Sequence, residues 1–145
     1  MNIAQKDLSY FTLRLQELLN TSFPELSGDK TFIIHRSRLA ANAYEGTFMA
    51  GNRIELCNEI AEYILFESLH FSKFDTVFKV VCNEFYTIMA DEELRSFALK
   101  VLPVCTVVFE QYLLTEDFAD SPEFELLYTE LTGTIQIWIE ENGLQ

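Results

Sequence analysis

Histidine, cysteine, glycine and proline are all scarce in this chain of 145 residues, which holds two, three, five and three of them. Each shortage removes a class of chemistry. The three cysteines, Cys57, Cys82 and Cys105, stand more than twenty residues apart with no CxxC pair, so they read as free thiols among apolar neighbours in a reducing cytoplasm rather than as disulfides or a structural zinc site. Few glycines leave neither a glycine-rich phosphate loop nor a GxSxG elbow. With so little glycine and proline there is also no linker-like or low-complexity stretch, and no internal repeat is evident. The start, Met1 to Asp7, has no basic region followed by a continuous apolar stretch, and polar residues interrupt every apolar run elsewhere. Neither a signal peptide nor a membrane span is expected.

Lysine and arginine are missing altogether from residues 101–145, which carry nine acids: Glu110, Glu116, Asp117, Asp120, Glu123, Glu125, Glu130, Glu140 and Glu141. Residues 1–50 balance five bases against five acids, so the net charge of −13, from 10 bases and 23 acids, is gathered in the later chain. A field of one sign repels phosphate backbones and anionic lipid and steers basic partners inward. Direct nucleic-acid binding and membrane binding are therefore not expected. An acidic outer face also serves solubility alone, the plainer use of such charge.

What is present is core material. Hydrophobic residues make up 49% of the chain, with 13 Phe, 6 Tyr and one Trp, and a domain of this length hides roughly 70% of the surface its unfolded chain exposes. One all-α domain over 1–145, a compact multihelical bundle of six to seven helices, is the expected architecture. Leu8, Phe11, Leu15, Leu18 and Leu19 form the first stripe, closed by Phe23-Pro24. Asp29 is placed to cap a second helix that ends near Gly51, and Asn52 to cap a third through Ile54, Cys57, Ile60, Ala61, Ile64 and Leu65. Ser72-Lys73-Phe74-Asp75 is a capping box with Asp in place of Glu. Asp91-Glu92-Glu93 opens the next helix, with acids at the positive end of its macrodipole, up to Pro103. Val104 to Leu114 is apolar nearly all round and reads as a central element, for which the β-branched content allows a strand while the helical neighbours and the length favour a helix. Ser121 as N-cap and Pro122 at the first position start the last helix, along Phe124, Leu127, Leu131, Ile135, Trp138 and Ile139, with Gly143 to stop it. Gly133 in mid-helix suggests a close crossing or a bend.

Three groups of residues invite a functional reading. Glu67 and His70 at i and i+3 share a helix face and form half of a carboxylate-bridged di-iron pattern. A second Glu-x-x-His is absent, His35 having Phe32 before it, and Asp75 adds only a mononuclear alternative. A helix-end histidine satisfied by a carboxylate or backbone group is the plainer account. Arg36, Arg38 and Arg53, with Lys30 nearby, form a basic patch suited to a phosphate or acidic peptide, against the alternative of solvated surface or pairing with the protein's own acids. Glu123, Glu125 and Glu130 are the acids placed to meet a basic partner. No catalytic residues and no cofactor are assigned.

The runs LRLQELLNTSFPEL (Leu13 to Leu26), LAANAYEGTFMAGN (Leu39 to Asn52), LFESLHFSKFDTVFKVVCNEF (Leu65 to Phe85), MADEELRSFALKVLPVC (Met89 to Cys105) and LLYTELTGTIQIWIEENGLQ (Leu126 to Gln145) resemble the domain-of-unknown-function family 1896 of Bacteroidetes bacteria. The resemblance spans nearly the whole chain, with LHFSKFDTVF and LYTELTG its most specific strings. It implies small helical proteins of unassigned activity, often carried on mobile elements near DNA-processing genes, and it brings no catalytic residues. The resulting expectation is a cytoplasmic, non-enzymatic accessory factor with a basic protein partner, a homodimer being compatible with the sequence. Two alternatives stand beside it: a small metal-binding protein or enzyme centred on Glu67 and His70, and an acidic nucleic-acid mimic.

Overall fold

The computed structural model describes residues 8–144, and among them every regular element is helical. Seven α-helices follow in order: α1 Leu8–Ser22, α2 Lys30–Met49, α3 Ile54–Leu65, α4 Lys73–Glu84, α5 Leu94–Val101, α6 Thr106–Phe109 and α7 Glu123–Asn142, with short 3-10 turns between the later ones. The fold is all-α, as the apolar spacing predicts. By their contacts the residues divide into two compact units, Met1–His70 and Phe71–Gln145.

In the first unit α2 packs on both α1 and α3. The stripe from α1 (Phe11, Leu15, Leu19) meets Ile33, Ala40 and Tyr44 of α2 and Cys57, Ala61 and Leu65 of α3. Each large side chain hidden in this way contributes about 1.5–3 kcal/mol. Asp29 caps α2 as expected, its carboxylate accepting from Phe32 N–H at 3.0 Å. Gly51 ends the helix with φ of +92°, a conformation that costs a side-chain-bearing residue dearly. Asn52 departs from expectation: its amide turns back to donate to Thr47 O at 3.0 Å, so it closes α2, and Arg53 holds the cap position of α3 without a side-chain bond.

The second unit packs α4 against α5 and α7. Ser72 caps α4 by accepting from Asp75 N–H at 2.9 Å, and Glu93 reaches back to Ala90 N–H at the start of the Asp91 turn. The core joins Phe74, Val77, Val80 and Val81 to Phe97, Val101, Phe109, Phe118, Leu127, Leu131 and Ile135. Aromatic edges organise it: the Phe118 ring lies 5.5 Å from Phe71, 5.7 Å from Tyr112 and 6.4 Å from Phe124.

Three expectations fail in this unit. Val104 to Leu114 is no central element: Pro103 breaks the helix, α6 lasts four residues, and Val107 and Leu113 are 64% and 82% exposed. Ser121 does not cap α7, because its hydroxyl donates backwards to Phe118 O at 2.8 Å. Gly133 marks no close crossing, since a methyl group added there meets nothing within 4 Å. Gly143, at φ of +74°, stops α7 as expected.

Candidate functional site

The Glu67 and His70 pair loses its premise first. α3 ends at Leu65, and Ser68 sits at φ of +69°, so Glu67 and His70 lie on an irregular turn and share no helix face. The peptide carbonyl of Glu67 is taken by Arg36 at 2.6 Å. Asp75 stands in the first turn of α4, where its charge suits the helix dipole. Among the described residues no three His, Cys, Asp or Glu side chains gather as metal ligands would. Two of the thiols are equally quiet, burial pushing Cys105 up to about 12 and burial together with Asp91 raising Cys82. Both stay protonated at neutral pH, the wrong state for a nucleophile.

The expected basic patch separates into members with different work. Arg36 is a structural residue: its guanidinium donates to Leu65 O at 3.3 Å and Glu67 O at 2.6 Å, closing the open carbonyls at the end of α3, and lies over the Phe32 ring at 4.8 Å. Arg53 is exposed at the start of α3. Lys30 and Arg38, together with Thr31, Ile34 and His35, line a shallow depression of about 390 Å³ along one side of α2. Spacing explains the split, because residues two apart on a helix point to different faces.

The acidic candidates lie on α7. Glu123 and Glu125 occupy its first turn and are exposed. Glu130 accepts the hydroxyl of Tyr112, which raises that phenol to about 12, chiefly through this bond. Tyr128 makes a similar link to Glu84 at 2.8 Å. The sequence reading missed two residues here. Leu126 and Ile137 are 61% and 55% exposed, and at eleven residues apart they fall on one side of the helix with Glu130, Gly133 and Glu140. Their phase was the available signal, since both stand off the stripe that fills the core.

A second, smaller recess of about 230 Å³ is lined by Met89, Glu93, Ser96, Phe97, Lys100 and Leu144. It is below the 300 to 1,000 Å³ of ordinary ligand pockets, and its Glu93 carboxylate already holds Ala90 N–H. No helix among the described residues is long and apolar enough to cross a membrane.

With this geometry in place, comparison with known proteins is informative about kinship. The model of the family described as "Domain of unknown function (DUF1896)" matches residues 3–144. The chain belongs to the DUF1896 family. The crystal structure of protein PG0816 from Porphyromonas gingivalis is similar to this DUF1896 chain, with 40% sequence identity, a TM-score of 0.90, and 98% of this chain and 97% of that one covered. No curated protein matches the chain.

Proposed function

We propose that this DUF1896 protein is a non-enzymatic interaction factor of the cytoplasm, whose second unit docks a basic protein partner on the exposed face of α7. The observation that carries the reading is the company kept by Leu126 and Ile137. Two large apolar side chains stand open to solvent beside Glu123, Glu130 and Glu140 on a helix that contains no base. Apolar area supplies affinity and the surrounding charge supplies steering and choice of partner. A partner helix with an apolar stripe edged by Lys or Arg fits such a face. Proteins that handle DNA are rich in basic surfaces of this kind, which agrees with the mobile-element setting implied by the family resemblance. A mere charge mimic of DNA has no use for the apolar pair, so a docking face is the better reading.

A labelled basic amphipathic peptide of Lys and Leu, followed by fluorescence anisotropy, tests this. Two variants, Leu126→Asn with Ile137→Asn and a triple Gln variant at Glu123, Glu125 and Glu130, are each expected to weaken binding by about tenfold, or about 1.4 kcal/mol. Equal affinity for wild type and both variants counts decisively against α7 as the docking face.

A further inference from the structure

The chain carries one face of the opposite sign, and its layout matches α7. From Lys30 to Tyr44 there is no acidic residue. Lys30, Ile34 and Arg38 follow at i, i+4 and i+8, all exposed, with Ile34 at 43%, and they line the shallow depression along α2. On α7, Glu123, Leu126 and Glu130 follow at i, i+3 and i+7, also exposed. Each helix thus presents an apolar side chain between two charges of one sign, cationic on α2 and anionic on α7. Both helices are 20 residues long, so each face is long enough to lie along the other. Glu45 lies beyond the cationic stretch, near the end of α2.

We propose that two copies of this chain bind each other through these faces, the cationic side of α2 on one copy against the acidic side of α7 on the other. This pairing, which rests on α7 being a docking face, is the one in which the charges attract. Two α7 faces repel, and so do two α2 faces. Leu126 and Ile34 then cover each other, while Lys30 and Arg38 meet Glu123 and Glu130. The contact joins two different surfaces and so forms either a closed pair or a head-to-tail series.

Sedimentation of the full chain over a rising concentration series provides the test, with two variants: Lys30→Glu with Arg38→Glu, which reverses both charges of the α2 face, and Glu123→Lys with Leu126→Lys, which reverses one charge of the α7 face and replaces its apolar contact by a cation. The second leaves Glu130 to its partner Tyr112. Expected are wild-type species larger than the monomer that grow with concentration and dissolve at about 1 M salt, where screening reaches about 3 Å. Each variant alone is expected to be monomeric, and an equimolar mixture of the two to regain the assembly. If circular dichroism shows either variant unfolded, Lys30→Gln with Arg38→Gln replaces it and must still lower the assembled fraction. A mixture that stays monomeric overturns the pairing, as does assembly unchanged in both variants. A wild type that is monomeric throughout yet binds the basic peptide also overturns it, leaving α7 free for another partner; one that does neither removes both readings.

Discussion

The two units differ most in charge. The first, Met1–His70, has six bases and nine acids for a net charge of −3, and it puts two of its four arginines to structural use. Arg36 closes the carbonyls of α3, and Arg14 pairs with Glu62 at 2.5 Å. The second, Phe71–Gln145, has four bases and fourteen acids for a net charge of −10. Three of those bases rest on rings: Arg95 lies 4.6 Å from the centroid of Phe74, Lys79 5.4 Å from Phe124 and Lys73 5.9 Å from Phe109. Cations held over aromatic faces gain about 0.5–1 kcal/mol at exposed sites. The second unit thus builds cohesion from aromatic packing and leaves an acidic exterior, the property on which the docking proposal depends.

The largest expected effect falls on the aromatic core. Phe118 is 2% exposed and touches three other rings, so Phe118→Ala is expected to lose about 3–5 kcal/mol in denaturant unfolding. A loss under 1 kcal/mol would mean that the ring network is not what holds the second unit together. Next comes Arg36→Met in the first unit, expected to cost about 2 kcal/mol, because carbonyls left open at a helix end lose charge-assisted bonds. If the melting temperature is unchanged, the structural role of arginine in that unit is wrong.

Two glycines give smaller effects of opposite sign. Gly51→Ala forces a methyl-bearing residue into the left-handed region and is expected to destabilise by about 1–2 kcal/mol. Gly133→Ala, in an exposed helix interior with open space around it, is expected to stabilise by about 0.5–1 kcal/mol. The smallest effect is alkaline. Tyr112 titrates near 12 in the folded protein against about 10 when unfolded. A raised folded value means that its contribution is full below pH 10 and is lost as the pH rises through 12. Tyrosinate absorbance is expected to show a late-ionising group that disappears in both Tyr112→Phe and Glu130→Gln; persistence in either variant assigns it elsewhere.

Much of the fold is legible in the sequence because helix stripes and caps are local signals. Asp29, Ser72 and Gly143 each do what their neighbours imply, and the stripes of α1, α3, α4 and α7 supply most of the core. The failures share a cause, which is that tertiary packing decides between local options. Asn52 and Ser121 both have hydroxyl or amide groups suited to capping the next helix, yet each bonds backwards to the preceding turn. Val104 to Leu114 is apolar in composition, but Pro103 fixes a break, and only Cys105, Val108 and Phe109 of that stretch become buried. The candidate site was half legible. Its acids are plain from composition, while the apolar pair Leu126 and Ile137 emerges only from their phase against the core stripe. The pairing of Glu67 with His70 assumes a helix that has already ended at Leu65.

The most direct test of the docking face is a residue-resolved titration: isotopically labelled full-length protein followed by NMR as the basic amphipathic peptide is added. Expected are saturable shifts centred on Leu126, Glu130, Gly133 and Ile137, weakening as salt is raised. Shifts that fall instead on the first unit, or scatter over every acid without saturating, would contradict α7 as the partner-binding surface.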